Sequence, residues 1–337
     1  MLFVIDPPVN HAGLPCPWEA HMGKLGISFL PILIAVLLVG CSDSGSPPLR
    51  PLAENPTSAV SSVPDVSGPP GARPQVDLTG EAPKDSFAVR EVRAGKGAAV
   101  TSQDVVTVRY TAFNWTTRRP LASSFDAGSR PLLYKPETMA DPALQKGVVD
   151  QRVGARVLVI APAAFAASVI DKGADMFEHT VVLVLDIDSV TPWDATLSGP
   201  TKKTSPALPS VQDSGKAPVS IKIPETKPPT KLTATTMING KGPALEAGQS
   251  IALHYTGITW ETELYLGSSW RSGGAKVVEL SPESAGLREL ANLLTRERVG
   301  SRVQFVIPPS TDLGGDIVGA VPSNSTLILV IDILHAV

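Results

Sequence analysis

The sequence predicts an α+β protein that contains two copies of one small domain. Two observations carry this prediction. Segments rich in β-branched residues, each of strand length, recur along the 337-residue chain. In addition, residues 106–125 match residues 251–270 at a spacing of 145 positions. A near-constant offset between similar segments indicates a tandem duplication, so we expect two domains of the same fold.

Individual residues extend the match between the two copies. The pairs that lie 145 positions apart are Tyr110 with Tyr255, Trp115 with Trp260, and Ser123-Ser124 with Ser268-Ser269. Further along, RVGARV at 152–157 matches RVGSRV at 298–303, now 146 positions apart, and the closing segments 180–187 and 326–333 also correspond. The offset therefore holds over most of a domain.

Within each copy the pattern predicts several strands and one short helix. Strands are expected at 105–110, 156–160 and 181–187, and again at 251–255, 302–307 and 327–334. Ser281-Pro282-Glu283 is typical of a helix start, and Leu287, Leu290 and Leu294 follow at helical spacing. Asp141-Pro142 and Leu144 take the same places in the first copy. This order of elements favours an antiparallel sheet with a helix packed on one face.

The N-terminal segment has the order of an export signal. Lys24 precedes the apolar run ISFLPILIAVLLVG, and small polar residues follow Cys41. The last four residues of this region, LVGC, resemble the lipobox of bacterial lipoproteins, which implies cleavage before Cys41 and a diacylglycerol on its sulfur. A single transmembrane helix is the alternative, although about 14 apolar residues interrupted by Pro31 fall short of the roughly 20 that a span needs.

Composition divides the rest of the chain. Two stretches rich in proline and without apolar periodicity are expected to be solvated spacers. The predicted organisation is a signal region at 1–41, a disordered Pro/Ser/Gly tether at 42–86, a domain at 87–190, a Pro/Lys linker at 191–230 and a second domain at 231–337. Because residues 1–21 contain acids and prolines unsuited to a signal, we expect translation to start at Met22. The lysines of the linker serve either extension and solubility or weak binding to an anionic surface.

Charge and residue content narrow the function classes. The net charge of −3 gives no indication of nucleic-acid binding. The five histidines are scattered, and neither Ser-His-Asp nor Cys-His spacing is present, so a hydrolase or a metal site has little support. We therefore expect no cofactor.

The motifs of the second copy resemble those of the FKBP-type peptidyl-prolyl cis-trans isomerases. They are HYTG at 254–257, WET at 260–262, SSW at 268–270, VGSR at 299–302, VIPP at 306–309 and the closing TLILVIDI. The resemblance covers most of 231–337, and the duplication carries it to 86–190. It implies a half-barrel of antiparallel strands wrapped round a short helix, with a prolyl pocket between helix and sheet.

The resemblance also places the pocket residues. The family's tyrosine falls on Tyr110 and Tyr255, and its phenylalanine–aspartate pair falls on Leu121-Ala122 and Leu266-Gly267. Its tryptophan falls on Leu144 and Leu290, its later tyrosine on Ala167 and Leu313, and its last phenylalanine on Leu183 and Leu329. The aromatic lining and the acid are thus replaced in both copies, and we expect an aliphatic pocket.

Prolyl isomerisation needs neither a nucleophile nor a metal, since no bond breaks. A dry pocket favours the twisted amide of the transition state, which is less polar than the planar amide. Each lost aromatic contact or hydrogen bond costs about 0.5–1.5 kcal/mol, so we expect weakened activity.

Three functions follow from these expectations. The first is an exported isomerase, lipid-anchored on the extracytoplasmic side of the cell membrane, that acts on proline-containing segments of exported proteins. The second is an inactive FKBP-like module that binds peptide or protein. The third is a pair of purely structural domains.

Overall fold

The computed structural model describes residues 63–83, 87–162, 179–281, 288–309, 311 and 321–337. The signal region, Cys41, Ala167 and Leu313 lie outside these residues. We call residues 63–191 repeat 1 and residues 208–337 repeat 2. In the residues described, no helix is both long and apolar enough to cross a membrane.

Repeat 1 begins with a small hairpin and continues with a six-stranded sheet. Its elements are β1 (Asp65–Ser67), β2 (Gln75–Asp77), β3 (Ala88–Arg93), β4 (Val105–Asn114), β5 (Arg119–Ser123), β6 (Leu132–Tyr134), a 3-10 turn (Pro136–Thr138), α1 (Pro142–Val148), β7 (Arg156–Ala161) and β8 (Val181–Thr191). The strand order is β3-β7-β8-β4-β5, with β6 paired to β4, and every pairing is antiparallel.

Repeat 2 has the same order of elements. They are β9 (Ser210–Gln212), β10 (Ser220–Lys222), β11 (Thr233–Ile238), β12 (Ser250–Thr259), β13 (Tyr265–Ser268), β14 (Lys276–Glu279), α2 (Arg288–Leu294), β15 (Arg302–Ile307) and β16 (Leu327–Ala336). The sheet runs β11-β15-β16-β12-β13, with β14 on β12. The predicted strands and the α+β class are confirmed, and the paired central strands are longer than the sequence pattern indicated.

A helix covers one face of the sheet in repeat 1. Asp141 caps α1, since its Oδ1 accepts hydrogen bonds from the backbone N–H groups of Ala143 at 2.8 Å and Leu144 at 3.3 Å. Leu144 and Val148, four residues apart, are fully buried against the sheet. In repeat 2, Leu290 and Leu294 have the same spacing and are buried. Leu287, the first member of the predicted stripe, lies outside the described residues.

The prediction of a disordered tether at 42–86 is wrong for much of its described part, and the same holds within the linker at 191–230. The hairpins β1-β2 and β9-β10 form there and cover the face of each sheet opposite the helix. Trp115 anchors the first hairpin and Trp260 the second, each almost fully buried. Apolar residues that alternate with polar ones over a few positions drive this packing. The composition of these stretches did not indicate them, because proline and glycine are abundant around them.

A buried ion pair joins the last two strands of each sheet. The Arg156 guanidinium donates to both carboxylate oxygens of Asp186, at 2.6 and 2.7 Å, and Arg302 does the same to Asp332. Arg156 also donates to three carbonyls at the tip of the first hairpin, those of Gly68, Pro69 and Ala72. Arg156 and Arg302, the second arginines of the matched RVGARV and RVGSRV segments, therefore have a structural role: they hold the strands and the hairpin together.

The two repeats contact each other through an apolar cluster. Its members are Val105, Leu133, Ala252, Ala275, Val277, Leu334 and Val337. Polar groups surround it: the His335 Nε2 lies 3.0 Å from the Thr107 Oγ1, and the buried Lys135 ammonium donates to the Gly273 carbonyl and pairs with Glu137. The segment that follows β8 joins this interface, since the Trp193 carbonyl accepts a hydrogen bond from the Ala275 N–H at 2.9 Å.

Candidate functional site

Repeat 2 contains an apolar cleft between α2 and the sheet. The cavity has a volume of about 40 Å³, which exceeds the roughly 10–15 Å³ that one water molecule needs. It is lined by Leu253, Tyr255, Val278, Glu279, Leu280, Leu290, Ala291, Leu294, Leu329 and Ile331. The Tyr255 hydroxyl and the Glu279 carboxylate are the polar side-chain groups among these residues, so the wall is otherwise hydrocarbon.

Tyr255 is held in place by Ser268 and Ser269, the serine pair at the end of β13. The Ser269 Oγ accepts a hydrogen bond from the Tyr255 backbone N–H at 3.0 Å, and the Ser268 Oγ donates to the Tyr255 carbonyl at 2.8 Å. Burial raises the pKa of the Tyr255 phenol, and a hydrogen bond with the Ser272 side chain opposes this shift. The phenol therefore stays protonated at neutral pH and is available as a neutral hydrogen-bond donor.

Several of the predicted pocket residues of repeat 2 meet at this cleft. Tyr255, Leu290 and Leu329 line it, and Leu266 packs against the same core cluster. Gly267 is adjacent, because a Cβ built on it would lie 3.9 Å from the Tyr255 Oη. Its backbone φ is +154°, a value that residues with a Cβ rarely adopt.

The predicted residues of repeat 1 also share one cluster, but a further residue lies among them. Leu144 and Leu183 are buried there, and Tyr110, Leu121 and Ala122 pack against them. Tyr134 is buried in the same cluster, and its hydroxyl donates to the Leu144 carbonyl at 3.1 Å. In repeat 1 a phenol ring therefore lies beside Leu144, the residue at the tryptophan position, in addition to the predicted aliphatic side chains.

The strand register identifies the counterpart of Tyr134. Tyr134 is opposite Val106 on β4, and Val278 is opposite Ile251 on β12. Since Val106 and Ile251 are 145 positions apart, Tyr134 takes the place of Val278, which lines the cleft of repeat 2. A valine leaves open the space that the larger phenol fills.

The helices also differ at the position three residues after Leu144 and Leu290. A Cβ built on Gly147 would lie 2.6 Å from the Leu185 Cδ1 and 2.8 Å from the Val159 Cγ2, so only glycine fits there. With Leu144 matched to Leu290, the counterpart of Gly147 is Leu293, a half-buried residue that packs on the core of repeat 2. Leu293 brings a side chain to a position where Gly147 has none, so the two helices pack differently on their sheets.

The lining of the cleft is suited to binding and orienting an apolar group. Hydrocarbon walls exclude water, and one neutral hydroxyl can donate to a carbonyl. Within the described ranges, no group of three or more His, Cys, Asp or Glu side chains is placed to hold a metal ion. This arrangement suits a reaction without bond cleavage, such as rotation about an amide bond.

Sequence reasoning missed Tyr134, Val278 and Gly147. The first two follow from the register of β6 and β14, where the offset changes from 145 to 144. An aligned comparison of LLYKP with KVVEL contained that signal. Gly147 was visible as a glycine inside an otherwise apolar helix, which indicates close packing of the backbone.

Comparisons with known proteins identify similar chains. No protein-family model matches the sequence. A Corynebacterium glutamicum protein named "Probable FK506-binding protein" is 31% identical over 116 residues, which span 34% of this chain and 96% of that protein. An FK506-binding protein of Streptomyces anulatus is 28% identical over 123 residues, covering 34% and 93% of the two chains. Among solved structures, the three FKBP domains of wheat FKBP73 cover 74% of this chain and 94% of that one at 15% identity, with a TM-score of 0.28.

Proposed function

The chain belongs to the FKBP-type peptidyl-prolyl cis-trans isomerase family, and we propose that repeat 2 is its working domain. In this proposal each sheet curves round its helix as a half-barrel, and the cleft of repeat 2 takes the proline ring. The observation that carries the proposal is the apolar cleft that Tyr255, Leu290 and Leu329 line together.

The activity proposed is weak isomerisation of Xaa-Pro bonds in exported proteins. A hydrocarbon cleft favours the twisted amide over the planar, more polar ground state. The Tyr255 hydroxyl supplies one donor for a peptide carbonyl. Leucines at 266, 290 and 329 pack against a proline ring without the added stabilisation of aromatic contacts, which is worth about 0.5–1.5 kcal/mol for each pair.

A second candidate function is binding without turnover. The packing of Tyr134 against Leu144 favours a supporting role for repeat 1, because the phenol takes the position of Val278, which lines the cleft of repeat 2. In that case repeat 1 supports repeat 2 through the apolar cluster between them, and the protein acts as a peptide- or protein-binding scaffold.

The test exchanges the residue that distinguishes the two clefts. In the full chain, Val278→Tyr introduces the phenol of repeat 1 into the cleft of repeat 2. We expect kcat/KM in a protease-coupled assay on Xaa-Pro peptides to fall at least about tenfold, a loss of about 1.4 kcal/mol in transition-state stabilisation. Unchanged turnover in a folded Val278→Tyr protein would place the activity elsewhere.

The matched control is Tyr134→Val, which makes the opposite change in repeat 1. It should not lower kcat/KM, since repeat 2 is untouched. The variant also loses a buried phenol, and the unfolding midpoint measures the resulting loss of stability separately. If wild type gives no rate enhancement but peptides shift the NMR signals around Tyr255, the binding function stands and the isomerase function falls.

We also propose export and anchoring to the cell membrane through a lipid on Cys41. The sequence order from Lys24 through the apolar run to LVGC supports this. Mass spectrometry of the protein isolated from membranes should find a diacylglycerol on Cys41 as the first residue, and Cys41→Ala should abolish the modification. A mature chain that retains residues 24–40 would contradict the lipoprotein assignment and favour a transmembrane segment.

A further inference from the structure

An exposed aromatic and cationic surface adjoins the cleft of repeat 2. Leu264 and Tyr265, 48% and 38% exposed, are neighbours at the start of the edge strand β13, and Leu266 and Gly267 continue that strand to the cleft. The Arg271 guanidinium lies over the Tyr265 ring, 4.6 Å from its centre. We call Leu264, Tyr265 and Arg271 the rim surface.

The same three positions in repeat 1 carry different chemistry. By the offset of 145 they are Arg119, Pro120 and Asp126. Pro120 has no backbone N–H to offer at the sheet edge, and Asp126 is already paired with Arg73 at 2.6 Å. Repeat 1, with Tyr134 in its core, therefore has a charged residue and a proline at this edge, whereas repeat 2 has an exposed aromatic ring.

The Arg271 guanidinium is the charged group of the rim surface and can pair with an anion. Among the residues that the structure describes, no carboxylate lies within ion-pair distance of Arg271. Gly267 brings no charge to the position where the resemblance predicts an aspartate, so nothing in that strand neutralises the guanidinium. Burial raises the pKa of the Tyr265 phenol, and Arg271 acts in the opposite direction, as a nearby positive charge must.

We propose that the rim surface binds the segment flanking the proline and selects an acidic side chain there. The proposal rests on the cleft of repeat 2 being a prolyl site. An extended peptide that leaves the cleft along β13 meets Tyr265, whose exposed ring supplies apolar contact, and then the Arg271 guanidinium, which pairs with a carboxylate. Arg271 and Tyr265 are thus specificity-determining residues, and the preferred clients carry Asp or Glu close to proline.

The test measures peptide binding to the full chain by fluorescence anisotropy. Matched peptides contain one proline and carry Asp, Asn or Lys two positions before it, or two positions after it. In one of the two sets, with the variable residue before or after proline, we expect the Asp peptide to bind about two- to fivefold more tightly than the Asn peptide, and the Lys peptide to bind most weakly. The difference is small because exposed ion pairs contribute modestly. Added salt should reduce this difference.

Two variants and one control assign the preference. Arg271→Ala should make the three peptides bind alike, and Tyr265→Ala should weaken all of them. Arg119→Ala removes one positive charge from the equivalent strand of repeat 1 and should leave the preference intact.

The outcomes separate this inference from the proposed function. If wild type binds all peptides equally, or if Arg271→Ala keeps the preference, the rim surface is not a selectivity site and the cleft assignment stands. If no peptide binds and Val278→Tyr changes nothing, the cleft is not a prolyl site and both proposals fall.

Discussion

Repeats 1 and 2 share a sheet but differ at the helix–sheet boundary. Strand order, the buried Arg–Asp pair and the hairpin on the outer face are the same in both. Tyr134 and Gly147 of repeat 1 correspond to Val278 and Leu293 of repeat 2. Tyr134 packs in the core of repeat 1 and Gly147 lies against Leu185 and Val159, whereas Val278 lines the cleft of repeat 2. These two positions distinguish the inner faces of the repeats.

The largest effect on stability should come from replacing the buried arginines. Both repeats have the Arg–Asp pair, but in the part of the chain that the structure describes only Arg156 also binds carbonyls of its hairpin. Arg156→Ala leaves Asp186 as an unpaired buried charge and removes three hydrogen bonds to the hairpin, so the free energy of unfolding of repeat 1 should fall by about 3–5 kcal/mol. Urea unfolding measures the loss, and hydrogen exchange should show the β1-β2 amides opening first.

Arg302→Ala is the matched variant for that experiment. Arg302 reaches its hairpin through one looser contact, 3.4 Å from the Asp213 carboxylate, so β9-β10 should lose less protection. Equal loss of protection in the two hairpins would show that the carbonyl contacts of Arg156 do not hold β1-β2.

The next effect concerns a position that is arginine in one repeat and histidine in the other. Arg109 pairs with Asp188 near the surface, but its counterpart His254 is buried, stacked on Trp270 with ring centres 3.8 Å apart. Burial lowers the pKa of His254 to about 4, and the Lys135 ammonium acts in the same direction while Asp194 and the Trp193 backbone oppose it.

The folded-state pKa of His254 lies below the ordinary 6.5, so the folded protein resists protonation of this histidine more than the unfolded chain does. The contribution of neutral His254 to the free energy of unfolding is therefore complete above pH 6.5 and is lost as the pH falls towards 4. The loss should reach about 3 kcal/mol. Unfolding measured across this range should show a shallower pH dependence for His254→Gln than for wild type. Burial also lowers the pKa of His335, which contributes a pH dependence of the same sign to the stability of both proteins. Parallel pH curves for the two proteins would contradict this role of His254.

A smaller effect tests the close helix of repeat 1. Gly147→Ala forces a methyl group against Leu185 and Val159, which should lower the free energy of unfolding by about 1–3 kcal/mol. Leu293→Gly, the opposite change in repeat 2, should close part of the cleft and weaken peptide binding. A neutral Gly147→Ala in thermal unfolding would mean that α1 is free to move away from the sheet.

Family, strands and duplication could be predicted from the sequence because they depend on β-branched segments and on matched residues along the chain. The family prediction is confirmed by the relatives. Of the leucines assigned to the pocket of repeat 2, Leu290 and Leu329 line the cleft, whereas Leu266 packs on the adjoining core. The hairpins were missed since three-residue strands carry too little periodicity to stand out from proline-rich surroundings. Filling of the inner space by Tyr134 depends on strand register, which one sequence alone specifies poorly.

The smallest effect should come from restoring the family pair beside Tyr255. Leu266→Phe with Gly267→Asp is expected to raise kcat/KM by less than about tenfold, because the leucines at 290 and 329 remain. The backbone at 267 also has a conformation that an aspartate adopts only with strain. Leu266→Phe alone is the control, and full recovery of turnover by the double variant would show that the leucine lining is not limiting.

The position of the hairpins governs how this protein can be divided into fragments. A piece that starts at residue 87 or 231 would lack β1-β2 or β9-β10, and the indole of Trp115 or Trp260 would then face solvent together with the valines and isoleucines around it. Such a fragment should aggregate on expression, whereas one that starts before residue 63 or 208 retains its own cover. Limited proteolysis should accordingly release repeats with their leading hairpins attached.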